Sequence, residues 1–267
     1  MLDRSSFARP WVLVDIGNQR CKAAVVDGAV WEPADTIVSC SLTAEQWSDF
    51  VGPLRDARAE WWISSVHRPT ASRLIDWIAR HRPGDAVCSL AHDGFAMQID
   101  VESPRAVGID RLAAAQAASW RLEDGQSAVV IDVGTAVTVD VVSISGESAC
   151  FRGGAILPGP GPAAQSLETA TDALVSVPFP RDAPAPLGRD TTEAVQAGLY
   201  WGLVGSVREL VRQIVRRHGE PALHVVSGGQ CRPLLDHLAG PIVHDPELVL
   251  RGVGMAARAA TSGRTTS

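Results

Sequence analysis

Two aspartates stand at equivalent places in this chain, each at the end of an apolar run. Asp15 is followed by isoleucine and Gly17, and Asp132 is followed by valine and Gly134. Both patterns predict a buried strand, a tight turn at the glycine and a return strand. Backbone N–H groups in such turns can cradle phosphate, and the carboxylates can hold its metal ion. Two copies therefore indicate two related halves that bind one polyphosphate, although a single copy is an ordinary turn in most proteins.

A third acid has a different setting. Asp110 falls in the first turn of a helix predicted over residues 108–121, where the helix dipole favours a carboxylate. That is a sufficient structural explanation of the residue. The functional alternative is a base that accepts a proton from a substrate hydroxyl, beside Arg111, whose planar fork suits a carboxylate or phosphate.

Two further glycine-rich segments leave two interpretations open. Residues 227–229 follow a predicted strand, and a base or ribose can lie against such bare backbone. They can equally be a flexible entry to a helix. Residues 153–159 either let a ligand approach the backbone or form a tight corner.

The elements that must position these residues alternate between strands and helices. Such alternation of strands and helices is typical of an α/β protein. The longest predicted helix contains Gly198, Gly202 and Gly205, which we expect to allow close packing against a neighbour. The proline-rich segment 177–190 is predicted to be exposed and stiff rather than packed. The main predicted helices cover 43–50, 70–80, 108–121, 159–174, 191–218 and 249–260, and further strands cover 61–66 and 223–226.

Composition narrows the class of protein. The 267 residues are 46% hydrophobic and carry a net charge of −6, which argues against a nucleic-acid partner. Five cysteines without a C-x-x-C pair predict neither a disulfide framework nor a zinc site, so we expect reduced thiols and a cytoplasmic location. No uninterrupted apolar run approaches the length that crosses a bilayer, so no membrane partner is expected.

Taken in order, residues 15–22, 108–111, 132–140 and 153–159 resemble the motifs of type III pantothenate kinases. These enzymes belong to the actin/hexokinase/Hsp70-like ATPase superfamily. The resemblance runs from about Trp11 to Ala260. It implies an α/β fold of duplicated ribonuclease H-like (actin-like ATPase) domains, with mixed sheets flanked by helices and ATP in the cleft between them. We expect an N-terminal actin-like ATPase subdomain over 11–118, a C-terminal one over 119–260 and a disordered tail over 261–267.

The resemblance also implies an activity: ATP-dependent phosphorylation of pantothenate to 4'-phosphopantothenate, the first step of coenzyme A biosynthesis. The implied catalytic base is Asp110. The implied ATP-binding residues are Asp15, Ile16, Gly17, Asn18, Gln19, Arg20, Cys21, Lys22 and Thr135. The implied pantothenate-binding residues are Gly108, Ile109, Asp110, Arg111 and Thr191. Asp15 would organise Mg²⁺, and Asp132 would bind a monovalent cation, K⁺ or ammonium. Members of the family are homodimers, so a homodimer is expected.

Several positions depart from the family pattern, among them Ala114 or a neighbour, where an asparagine often follows the Asp-Arg pair. Gln19 stands where threonine is common, and Val101 and Ser103 stand in a segment that often reads Tyr-x-Asn-Pro. Val101 and Ser103 are the support for one alternative, a catalytically silent regulatory or binding protein on the same fold. A second alternative is a kinase of the same superfamily that acts on another hydroxyl compound.

Overall fold

The computed structural model describes residues 9–27, 30–31, 35–38, 43–54, 57–174, 176–219 and 221–262. The chain divides into two compact units. Unit 1 takes residues from 1–97, 102–117 and 247–267, and unit 2 takes residues from 98–101 and 118–246.

Unit 1 is built on a mixed sheet. Its spatial order is β3-β2-β1-β5-β6, and β4 also pairs with β2. The first two strands form an antiparallel hairpin, and β1, β5 and β6 run parallel. The strands are β1 (Trp11–Ile16), β2 (Arg20–Asp27), β3 (Val30–Trp31), β4 (Asp35–Val38), β5 (Glu60–Ser65) and β6 (Ala86–Ser89).

The second sheet repeats this plan. Its order is β12-β11-β8-β9-β10-β7, with β8, β9 and β10 antiparallel and β11 parallel to both β8 and β12. The strands are β7 (Met97–Ile99), β8 (Ser127–Val133), β9 (Ala136–Ser145), β10 (Ser148–Pro158), β11 (Leu223–Ser227) and β12 (Ile242–His244). In each sheet, therefore, a hairpin has a parallel strand beside its first member.

Capping residues mark the ends of several helices. Thr43 caps the first helix through a reciprocal bond pair with Gln46, and Asp190 caps the fifth by accepting the Glu193 N–H. Gly219, at a φ of 85°, follows the last turn of that fifth helix. The helices are α1 (Ala44–Val51), α2 (Arg68–His81), α3 (Ile109–Ser119), α4 (Pro160–Ala170), α5 (Thr191–His218), α6 (Arg232–Leu235) and α7 (Leu248–Ser262). Short 3-10 turns cover Gly52–Leu54, His92–Gly94 and Pro104–Ala106.

Each unit has its own core. In unit 1, β1 and β5 pack against α1 and α2 around Trp47, Trp61 and Trp77, whose ring centroids lie 6.0–6.4 Å apart. In unit 2, the inner faces of β8 and β9 pack against α5 around Tyr200 and Val204. Burial of these apolar faces is the main force that holds the sheets and helices together.

Helix α7 lies in unit 1, whereas the division expected from the sequence placed it in the second subdomain. The helix also continues through Ser262, and the rest of the expected tail, 263–267, lies outside the described residues.

The structure bears on two sequence predictions about unit 2. Most residues of the segment 177–190 are exposed, as predicted, but the segment also contacts α5, because Phe179 stacks on Tyr200 and the Trp201 indole N–H donates to the Pro184 carbonyl at 3.1 Å. Within the described chain nothing packs closely on the glycines 198, 202 and 205 of α5, since a Cβ added at any of them would have no atom within 4 Å, so the expected neighbour is not part of the described chain. The glycine face of α5 is therefore open within the described chain.

Candidate active site

The turn between β1 and β2 presents Asp15 at the end of a buried strand. Asp15 is partly buried between fully buried neighbours, and the antiparallel register sets it opposite Lys22. The Gly17 N–H donates to the Arg20 carbonyl at 2.9 Å, and an added Cβ at Gly17 would lie 3.2 Å from that oxygen. The turn is therefore closed and tight. The exposed residues at its tip are Asn18, Gln19 and Arg20, and the flanking Ile16 and Cys21 are buried.

The carboxylate of Asp15 is held from the neighbouring strand. Ser64 of β5 is fully buried, and its hydroxyl donates to Asp15 Oδ1 at 3.2 Å. The sequence analysis missed Ser64 because only the parallel register of β1 with β5 brings the two residues together. The available signal was a polar pair, Ser64 and Ser65, at the end of an otherwise apolar strand.

The entrance to α3 presents Asp110. The Arg111 backbone N–H donates to Asp110 Oδ1 at 2.8 Å. The same oxygen lies over Gly108, where an added Cβ would overlap it, so the glycine makes room for the carboxylate. Burial raises the pKa of the Asp110 carboxyl, and the N–H and positive charge of Arg111 oppose that rise only in part. A raised pKa makes Asp110 a better proton acceptor than a solvated aspartate.

In unit 2, the β8–β9 turn presents Asp132 and Thr135. The Gly134 N–H donates to the Ala136 carbonyl at 2.9 Å, which closes the turn. The Gly159 N–H donates to the Thr135 carbonyl at 2.9 Å, and a Cβ at Gly159 would lie 2.6 Å from that oxygen. The chain between β10 and α4 therefore lies directly on the turn, and only glycine fits there.

The loop after β11 approaches Asp132. Ser227 is the register partner of Asp132, and Gly228 follows at a φ of 93°. A Cβ at Gly228 would lie 2.5 Å from Asp132 Oδ1 and from the Val133 nitrogen. The glycine at 228 is therefore explained by close packing on the end of β8, which neither interpretation of residues 227–229 had included; a base or ribose against this backbone stays a prediction.

Gly153 and Gly154 allow close packing within the second sheet. Gly153, at a φ of 91°, faces Val101, whose Cγ1 would lie 3.3 Å from an added Cβ. Gly154 faces the buried Asp140 on β9, at a β-bulge between Phe151 and Gly154. Residues 153–158 thus belong to strand β10 rather than to a loop or a corner, and both glycines are explained by tight packing within the sheet.

Thr191 is the exposed first residue of α5. The Arg189 N–H donates to the Glu193 carboxylate at 2.7 Å, and the Asp190 cap fixes the same turn. In the part of the chain that the structure describes, no hydrogen bond joins Thr191 to Asp132 or Thr135. The predicted residues thus form local groups: Asp15 with its turn and Asp110 with Gly108, Ile109 and Arg111 in unit 1, and Asp132 with Thr135 in unit 2.

The donor chemistry decides which ions fit. Among the described residues, no group of three or more His, Cys, Asp and Glu side chains could hold a metal ion. Mg²⁺ that travels with a nucleotide needs only one or two carboxylates besides the phosphates, so a single aspartate at a phosphate-binding turn fits it.

Across the described residues, no helix has the length and apolar character needed to span a membrane.

Two solved structures share this fold. MreB5 of Spiroplasma citri bound to ADP gives a TM-score of 0.52 at 12% identity, over 97% of this chain and 99% of that chain. An Alp12 filament structure gives 0.53 at 9% identity, over 95% and 99%. At such identities the likeness concerns the fold alone, and it confirms the predicted actin-like α/β fold.

Sequence comparison defines the family more narrowly. The model of the type III pantothenate kinase family matches residues 11–213. A type III pantothenate kinase of Alkalilimnicola ehrlichii is 32% identical over 93% of this chain and 98% of its own length. Others, from Dehalococcoides mccartyi and Chlorobaculum tepidum, are each 36% identical, over 94% and 92% of this chain and 97% and 93% of their own lengths. The chain belongs to the type III pantothenate kinase family, which confirms the family predicted from its motifs.

Proposed function

We propose that this chain transfers the γ-phosphoryl group of ATP to the primary hydroxyl of pantothenate and so forms 4'-phosphopantothenate for coenzyme A biosynthesis. Membership of the type III pantothenate kinase family supports the substrate. The observation that carries the chemistry is Asp110, a partly buried carboxylate with a raised pKa at a helix entrance.

In the proposed reaction, the pantothenate hydroxyl oxygen forms a bond to the γ-phosphorus. The bond from that phosphorus to the β–γ bridging oxygen breaks, and ADP leaves. The hydroxyl proton moves to the Asp110 carboxylate. Such a transfer needs mainly alignment and charge neutralisation, and a positioned base is worth about 10²–10⁴-fold in rate.

The remaining residues bind and orient. The turn from Asp15 to Lys22 offers backbone N–H groups and an ammonium to the phosphates, and Asp15 would hold Mg²⁺, which supplies charge neutralisation when it is bound. Thr135 would contact the nucleotide. Gly108, Ile109, Arg111 and Thr191 would bind pantothenate, with the fork of Arg111 suited to its carboxylate.

The monovalent cation is assigned to Asp132. The Asp132 carboxylate and the Val133 carbonyl, which both lie close to Gly228, are oxygens of the kind that ligate K⁺ and accept from ammonium, and they support this assignment. Rates in K⁺, ammonium and Na⁺ at constant ionic strength test this assignment.

A homodimer is the proposed assembly. A cavity of about 190 Å³ lies between α4 and α5, and it is lined by Gly198 and Gly202 together with apolar side chains such as Leu157 and Leu203. Ile156, in the adjoining strand, is 62% exposed. Light scattering should give a dimer mass for the wild type, and Gly202→Glu should lower it while Ser72→Glu on the exposed face of α2 does not. A wild-type monomer would contradict the assembly.

An ADP-release assay with and without pantothenate tests the function. Pantothenate-dependent release that is abolished by Asp110→Asn, and kept by Asp76→Asn at an exposed site, supports the kinase. Release without pantothenate points to another hydroxyl acceptor or to an ATPase. No release points to a silent binding protein, the alternative that Val101 and Ser103 favour. A cytoplasmic location belongs to the same proposal.

A further inference from the structure

The two sheets place a buried serine beside each strand-end aspartate. In unit 1 the parallel register sets Ser64 of β5 opposite Asp15 of β1. In unit 2 it sets Ser227 of β11 opposite Asp132 of β8. Both serines are buried, at 0% and 2% exposure. The serine therefore occupies the same place in both copies of the hairpin plan.

A hydroxyl at position 64 is not explained by packing. The three residues before it, Trp61, Trp62 and Ile63, are apolar and buried, so an alanine would continue the strand at no polar cost. A buried hydroxyl without a partner costs free energy. The Ser64 hydroxyl has a partner, since it donates to Asp15 Oδ1 at 3.2 Å.

We propose that Ser64 is a positioning residue that orients the Asp15 carboxylate toward the Mg²⁺ carried by the nucleotide. A donor on Oδ1 restricts rotation of the carboxylate plane and so fixes the direction of the second oxygen. This inference rests on the proposed role of Asp15 in nucleotide binding, and it does not depend on pantothenate as the acceptor.

The experiment compares ADP affinity in Mg²⁺ with ADP affinity in EDTA, by calorimetry on the whole chain without pantothenate. Loss of a hydrogen bond that orients the carboxylate should reduce the Mg²⁺-dependent gain in ADP affinity about tenfold in Ser64→Ala, or by about 1.4 kcal/mol. The affinity in EDTA should stay within about twofold. Ser65→Ala is the matched control, because the Ser65 hydroxyl accepts the His67 N–H at 3.1 Å and does not serve Asp15.

Asp15→Asn provides the link between the two residues. If Ser64 acts through Asp15, the double variant loses no more of the Mg²⁺-dependent gain than Asp15→Asn alone. An additive loss would overturn the inference. Ser64→Thr, which keeps the hydroxyl, should restore most of the gain.

Two further results would count against the positioning role of Ser64. A wild-type Mg²⁺-dependent gain in Ser64→Ala, or an equal loss of affinity in Mg²⁺ and in EDTA, would overturn the positioning role. If Ser64→Ala does not fold, Ser64→Cys is read by the same criteria, since its thiol is similar in size and a weaker donor. Failure of the proposed kinase reaction shows separately, as wild-type ADP release that does not depend on pantothenate.

Discussion

The crossing of α7 over α3 predicts a substitution that harms both stability and catalysis. An ideal Cβ at Gly252 would lie 2.7 Å from the Ala113 Cα and still closer to its carbonyl group. Ordinary contact begins at 3.4 Å, so Gly252→Ala must part the two helices by at least about 0.7 Å. The clash is with backbone, and no side-chain rotation relieves it. Ala113 lies one turn beyond Asp110 on α3.

The magnitudes follow from this displacement. Overpacking costs about 1–3 kcal/mol, and the better helix propensity of alanine returns at most about 1 kcal/mol. Because a clash with backbone places the cost in the upper part of that range, about 2–3 kcal/mol, we expect a net loss of about 1–2 kcal/mol, at about 2–4 °C in Tm for each kcal/mol. A misplacement of about 1 Å can cost about 100-fold in rate, so a shift of this size at Asp110 should lower kcat about tenfold.

The assay combines thermal unfolding with steady-state kinetics. Gly52→Ala is the matched control, because Gly52 has a helical φ of −48° and an added Cβ there has nothing within 4 Å. The control should keep kcat and unfold at the same temperature or higher. Wild-type Tm together with wild-type kcat in Gly252→Ala would refute the claim that this crossing sets the position of α3.

Three further predictions concern the carboxylates of Asp110 and Asp85 and the strained turn at Gly228. Asp110→Asn should lower kcat about 10²–10⁴-fold. Because burial raises the pKa of Asp110 above 3.8, the free energy of unfolding of this variant at pH 7 should equal or exceed that of the wild type, and the difference should shrink toward pH 3.8. A variant that is less stable than the wild type at pH 7 would contradict the burial penalty. Burial raises the pKa of Asp85, but hydrogen bonds, of which the one from Arg82 is the strongest, outweigh it and lower the pKa. Asp85→Asn should therefore cost about 3 kcal/mol of unfolding free energy at pH 7 and progressively less as the pH falls below 3.8, measured by urea unfolding. A constant cost across that range would refute the ion pair as its source. Gly228→Ala, which forces a Cβ against Asp132 at a positive φ, should abolish any preference for K⁺ over Na⁺ in the rate, while the Mg²⁺-dependent ADP affinity tested for Ser64 stays unchanged.

Sequence patterns predicted those elements whose signals are local. Helix α5 begins and ends where it was expected, because the Asp190 cap and Gly219 are adjacent to its ends. The short strands β6, β7 and β12 were not predicted, since three or four residues carry too little periodicity. The turn residues of both hairpins were predicted for the same local reason.

Residues that act through distant partners were beyond prediction. Ser64 depends on the register of two strands far apart in sequence, and Gly252 depends on which helix crosses its own. The glycines of α5 are a related case. Their spacing matches a packed face, but spacing alone does not say whether the neighbour belongs to the same chain, and here their face is open.

The two units place a carboxylate at the same point of the same strand plan, but they surround it differently. A buried serine lies opposite the carboxylate in both units, and the Ser64 hydroxyl donates to Asp15, but only at Asp132 does the backbone of a glycine, Gly228, also close on the acid. A hydroxyl donor orients one carboxylate toward a ligand that arrives from outside, as Mg²⁺ does with a nucleotide. A backbone that closes on a carboxylate holds its oxygen and a neighbouring carbonyl oxygen in fixed positions, which would suit a bare cation. Because the repeated plan keeps the acid and changes its surroundings, the proposed roles of Asp15 and Asp132 can differ although their sequence motifs are nearly the same.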